Sequence, residues 1–270
     1  NRTSPFDFTG NKFEFRAVGS WANCAIPMTI LNTIVAKQLK DFKKEVDILI
    51  DDKNLKKDEA IFNVLREYIK ECKKIRFEGD GYSESWEKEA KKRGLSNNKT
   101  TPDALKIKIS KKVIDLFQEM EVMNSIEMEA RYEIELEEYT KRIQIESRVL
   151  ADIARNHVVP TAIKYQNTLL ENTKNLKEIF GEEYKKIAKE QIELIMVISN
   201  HITEINALSL KMIDARKIAN QLSGEKTADA YCKTVKPFFE QIRYHCDKLE
   251  TMVDDGLWPL TKYRELLFTR

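Results

Sequence analysis

The sequence predicts a mainly α protein, with a short N-terminal strand segment followed by a long antiparallel helical domain. Three observations predict it. From Pro27 onward, apolar residues recur at helical spacing through most of the chain. Between Ile187 and Ala219 that spacing becomes a strict alternation of four and three, a heptad seam. Period-two alternation is clear near the start, in "GNKFEFR" at 10–16, where Lys12, Glu14 and Arg16 alternate with Phe13 and Phe15.

Residues 1–20 read as extended and turn-rich. Pro27 suits a first helical position, and Ile30, Ile34, Val35 and Leu39 make an apolar stripe behind it. A charged connection, "DDKNLKKDEA", leads into a second amphipathic helix, "EAIFNVLREYIKECKKI". Ser83 or Ser85 can cap the helix "ESWEKEAKKR", which Gly94 ends. Thr101, Pro102 and Asp103 open the next helix. Ser125 is the expected cap of a long segment that Pro160 should kink or break and Gly181 should end. A second long helix is expected from about 182 to 222, with its seam at Ile187, Gln191, Leu194, Ile198, His201, Ile205, Leu208, Met212, Ala215 and Ala219. A third is expected over roughly 227–253. Helices this long need partners for their apolar stripes.

Composition narrows the function classes. With 42% hydrophobic and 33% charged residues, the 270-residue chain belongs with folded rather than disordered proteins. Its 46 basic and 44 acidic residues leave a net charge of +2, which gives no electrostatic case for nucleic acid. No run of eighteen apolar residues spans a membrane, and no signal peptide is visible. Cys24, Cys72, Cys232 and Cys246 form no CxxC pair and read as reduced thiols of a cytoplasmic protein. His157, His201 and His245 are far apart in sequence, so a structural zinc site is not expected; His201, on the seam, reads as a register residue. Glu133, Glu137 and Lys141 follow the i, i+4 spacing of solvated helix pairs rather than of a metal site. "GDGYSE" lacks the glycine spacing of a phosphate-binding loop. The chain begins with Asn1 in a turn-like "NRTSPF", and a C-terminal piece of something longer is expected.

The strand is the chemical candidate. Its charges could simply face water as an ion-pair ladder. A carboxylate flanked by cations is also what phosphoryl transfer needs, because Mg²⁺ takes one or two protein carboxylates and fills its remaining positions with phosphate oxygens and water.

"NRTSPF" followed by "GNKFEFR" resembles the last strand motifs of glutamine synthetases, in their type III form. "NCAIPMTILNTIVAKQLKDF" is similar to the family's following helix. "RFEGDGYSESWEKEAKKRGLSN", "EARYEIELEEYTKRIQIESRVLADIARNHVVPTAIKYQN", "IRYHCDKLE" and "LWPLTKYRELLFTR" resemble the C-terminal region peculiar to type III. The resemblance implies residues 1–122 as the C-terminal part of a catalytic domain and 123–270 as a type III helical domain. It implies an ATP-dependent ligase, using Mg²⁺ or Mn²⁺, that joins ammonia to L-glutamate through γ-glutamyl phosphate. By resemblance Glu14 binds a metal near the transferring phosphate. Arg16 holds the glutamate carboxylate, Arg2 contacts phosphate or glutamate, and Lys12 lies near the nucleotide. Asp7 departs from the pattern, standing where other types carry a further arginine. The resemblance also implies a homo-oligomer, a double-ring dodecamer. The family's remaining metal and nucleotide residues lie upstream, so the chain alone is expected to be inactive. The competing class is a non-catalytic helical oligomerisation module, which would not need the charged strand.

Overall fold

The structure, a computed structural model, describes residues 6–8, 10–15, 23–75, 80–81 and 83–267. The chain divides into two compact units, Asn1–Tyr132 and Glu133–Arg270.

The first unit opens with two short strands, β1 (Phe6–Phe8) and β2 (Phe13–Phe15), paired antiparallel. Gly10, at φ +101°, makes the turn between them, a backbone conformation that favours glycine. Helix α1 (Ala25–Asp51) follows, then α2 (Lys57–Cys72). The two helices pack through Val46, Ala60 and Val64, with Phe42, Leu49, Ile50, Leu55, Ile61 and Tyr68 around them. The Tyr68 hydroxyl donates to Glu45 Oε1 at 2.9 Å and ties the pair together. The core therefore uses the C-terminal half of α1. Of the expected stripe, Ile34 and Leu39 are exposed. The reason is length: α2 has 16 residues against 27 in α1, so the antiparallel partner ends before it reaches the stripe.

Three short helices complete this unit: α3 (Glu84–Lys92), α4 (Thr101–Lys108) and α5 (Lys111–Glu119). Ser83 caps α3, its hydroxyl accepting from the Trp86 N–H at 3.3 Å. Gly94, at φ +77°, ends it as expected. The cap of α4 is Thr100, one residue earlier than expected, accepting from the Asp103 N–H. Lys37 on α1 pairs with Glu119 at the end of α5, 3.1 Å away.

Helix α6 (Ser125–Asp152) crosses the division between the units. Its cap is Asn124 rather than Ser125. The Asn124 side chain accepts from the Glu127 N–H at 2.9 Å, and the Glu127 carboxylate accepts from the Asn124 N–H at 2.9 Å. This reciprocal box satisfies two otherwise orphaned donors, which a cap at Ser125 would not.

The second unit is a set of long antiparallel helices. A π-helical turn over Ile153–Val158 joins α6 to α7 (Val159–Phe180). Gly181 (φ +58°) and the short α8 (Tyr184–Ile187) lead into α9 (Lys189–Ala219). Then come α10 (Gly224–Ala230), a second π-turn over Tyr231–Val235, α11 (Pro237–Met252) and the short α12 (Tyr263–Leu266). Bonds from Gln166 to Ser199 and from Asn172 to Gln191 run α7 antiparallel to α9. Bonds from Tyr231 to Asn220 and between His201 and His245 do the same for the third arm.

The expected seam on α9 is the core of this unit. Ile198, Ile205, Leu208, Met212 and Ala219 are buried, and Leu194 and Ala215 are partly buried against them. Ala154, Val158 and Ala162 meet them from one side, and Tyr231, Val235, Ile242 and Leu249 from the other. Fully burying each large apolar side chain is worth roughly 1.5–3 kcal/mol. Ile187 is the exception: it sits in α8, before the break at Ala188, and is exposed.

Pro160 does not break the chain's helix. The π-turn before it lets the Val159 N–H reach the Ala154 carbonyl five residues back. A proline has no N–H to donate, and its ring clashes with the carbonyl four residues earlier; a wider turn relieves both problems. Pro237 follows the same rule, with the Lys236 N–H donating to Tyr231 O at 2.9 Å. The third helix expected over 227–253 therefore runs as α10, the π-turn and α11, from Gly224 to Met252.

Candidate functional site

Two places gather chemistry-bearing residues, one in each unit. In the first, β2 is shorter than the alternating stretch that announced it. It covers Phe13–Phe15, and Lys12 lies in the bend before it, exposed. Glu14 is central in the strand and half-buried. Arg2 and Arg16 fall outside the described residues. Of the four residues expected to line the site, the structure therefore describes Lys12 and Glu14, two positions apart at the start and middle of one hairpin arm.

The register adds a residue. Asp7 is the Cα partner of Glu14 across the ladder. Two acidic residues directly opposed on paired strands are unfavourable unless a cation compensates them. The departure at Asp7 thus places a second acidic position beside the expected metal ligand. One or two carboxylates, completed by phosphate and water, is the usual protein share of a Mg²⁺ site, and the single carboxylate of Glu14 is compatible with that share. Among the described residues no group of three or more His, Cys, Asp or Glu side chains could hold a metal.

In the helical unit, polar residues on the seam find polar partners on neighbouring helices. Gln191 Oε1 accepts from Asn172 Nδ2 at 2.7 Å. The fully buried Tyr231 donates from its hydroxyl to Asn220 Oδ1 at 2.6 Å, and Gln144 Nε2 donates to the same hydroxyl at 3.1 Å. His201 and His245 approach through their Nδ1 atoms at 2.8 Å, with ring centroids 5.1 Å apart. One of the two nitrogens must then carry the proton and the other accept it. These contacts are geometrically specific, and a slip of one helix past another breaks them, so they fix register. Cys246, next to His245, is mostly buried, and burial pushes its thiol up to about 11, which keeps it unreactive.

His201 carries a pH dependence. Burial lowers the His201 pKa below its ordinary 6.5, and the neighbouring His245 and Lys248 lower it further. With the folded-state pKa depressed, the unfolded chain takes up the proton first as the pH falls. The contribution of His201 to stability is therefore full above about pH 6.5 and declines through the window from about 6.5 down to the lower folded-state pKa. Thermal melts at pH 7.5 and 5.5 are expected to show a lower Tm at pH 5.5, with a smaller drop in His201→Gln. An equal drop in that variant assigns the pH dependence to other groups.

Residues 60–177 match the family model of the glutamine synthetase C-terminal domain. Along its whole length the chain is 50% identical to a glutamine synthetase of Bacteroides fragilis (strain YCH46), of which it spans 37%. It is 36% identical to a type-3 glutamine synthetase of Dictyostelium discoideum, spanning 37% of that protein. It is 30% identical to a glutamine synthetase of Butyrivibrio fibrisolvens, spanning 38%. The chain thus corresponds to little more than a third of the length of these glutamine synthetases. Among the described residues no helix is long and apolar enough to cross a membrane.

Proposed function

We propose that the longer protein to which this chain corresponds is a glutamine synthetase, which ligates ammonia to L-glutamate at the expense of ATP through γ-glutamyl phosphate. Its carrying observation is that the similarity to glutamine synthetases runs through the whole chain, strand segment included. In this reading a bound divalent cation, Mg²⁺ or Mn²⁺, neutralises phosphate charge during transfer. Glu14 contributes a carboxylate to it. Arg16 orients the substrate carboxylate, Arg2 contacts phosphate or glutamate, and Lys12 lies toward the nucleotide. A homo-oligomeric, double-ring assembly and a cytoplasmic location belong to the same reading.

The test is ATP- and Mg²⁺-dependent formation of γ-glutamyl hydroxamate from glutamate and hydroxylamine by the full-length protein. Its absence in a folded preparation overturns the reading. Arg16→Lys refines it. A guanidinium grips a carboxylate with two parallel hydrogen bonds, and an ammonium does not. The glutamate KM is expected to rise about tenfold, the equivalent of one lost charge-assisted bond, with the ATP KM unchanged. An unchanged glutamate KM removes Arg16 from the substrate.

A further inference from the structure

The arginines of the helical unit divide sharply. Arg142 pairs with Glu138 at 3.1 Å, and Arg243 pairs with Asp247 at 3.3 Å, each in the i, i+4 manner of a solvated helix face. Arg148, Arg155 and Arg216 have no ion-pair partner among the described residues, and all three line one open cleft of about 350 Å³. Arg148 lies on α6, Arg155 in the π-turn that follows, and Arg216 on α9. One carboxylate, Asp152, lines the same cleft and forms no ion pair with them among the described residues. Asp152 stands four residues after Arg148 and three before Arg155, yet its Oδ1 accepts from Asn156 Nδ2 at 2.5 Å. Three guanidiniums against one carboxylate leave the cleft two positive charges in excess.

From this geometry we propose that the cleft binds a small multivalent phosphate, such as a pyrophosphate or phosphate-ester group. Guanidiniums are weakly hydrated and present planar forks that match phosphate oxygens, so three of them on one cleft favour phosphate. The cleft lies at the small end of the range for ligand sites, roughly 300–1,000 Å³, which suits a small molecule rather than a polymer. Two of its lining residues, Arg155 and Asn156, belong to the π-turn, and the others come from α6 and α9. Such turns recur at functional sites because they re-aim side chains that a regular helix would hold apart. The proposal does not rest on the ligase reading, since no residue of the hairpin enters it.

The test is calorimetric titration of the 270-residue chain with sodium pyrophosphate, without divalent cations and at constant ionic strength. One saturable site per chain is expected. Arg148→Gln, Arg155→Gln and Arg216→Gln should each weaken it by about tenfold or more, the effect of losing one charge-assisted contact. The triple variant should abolish it, and Arg142→Gln and Arg243→Gln should leave it unchanged. Circular dichroism verifies that the variants fold. Citrate, a carboxylate of similar charge, should bind at least about tenfold more weakly. Three results overturn the proposal: no saturable binding, binding that survives in the triple variant, or citrate binding as tightly as pyrophosphate.

Discussion

Glu14→Gln in the full-length protein is expected to lower turnover by a factor of ~10²–10³ while leaving the fold and the assembly unchanged, the loss typical of removing one electrostatic contributor to a transition state. The amide keeps the volume of the carboxylate and its capacity to accept a hydrogen bond. It loses the negative charge that a hard divalent cation requires. Glu14 is central in β2, where pairing with β1 fixes its backbone, so the substitution acts on charge rather than position. The measurement is hydroxamate formation across a range of Mg²⁺ concentrations, with Tm and native mass as controls. Near-normal turnover at saturating Mg²⁺ would show that Glu14 is only an ion-pair partner. A fall in Tm to match the fall in rate would assign the loss to folding.

Ile198→Asp is expected to collapse the helical unit. Ile198 has 0% exposure at the middle of the α9 seam, among residues that belong to all three arms. An aspartate there has no cationic partner and either pays the cost of burying a charge or neutralises and leaves its polar atoms unpaired. Either outcome costs several kcal/mol, against a total stability of roughly 5–15 kcal/mol for a native domain. Ile198→Val is the control: it removes one methylene and should cost about 0.5–1.5 kcal/mol. The aspartate variant should lose much of its helical circular dichroism and its cooperative melt, while the valine variant keeps both. A folded aspartate variant with an unchanged Tm would show that the seam faces solvent.

The seam was legible because a heptad repeat is a local pattern: the residues that share a face follow from spacing alone, and nine of the ten expected positions lie on α9. Caps were legible to within one residue, since Ser, Thr and Asn crowd each helix start and only the hydrogen bond selects among them. What spacing could not give was the alignment of one arm against another. His201 was recognised as a seam residue, but its partner lies 44 positions away, and only the antiparallel alignment brings the two together. A signal existed: His245 stands three residues after Ile242 and four before Leu249, both fully buried, which is itself a seam position. The hairpin's alternation was legible in the same local way, but its ends were not. The turn at Gly10 starts the ladder at Phe13, which leaves Lys12 outside the strand.

The two π-turns have a consequence for how this architecture tolerates changes in chain length. Each accommodates one residue more than a regular helix would, and one residue corresponds to about 100° of rotation around the axis. Downstream of Val158 and of Val235, each arm is therefore phased independently of its upstream half, and both halves still present Ala154 and Ala162, or Tyr231 and Ile242, to the same seam. Single-residue deletions are absorbed at these two places, by straightening the turn, only when the proline that follows is replaced as well, because in a regular helix its ring would clash with the carbonyl four residues back. In relatives that lack a residue there, the proline that follows has lost its reason to be retained, so the gap and the loss of proline should occur together.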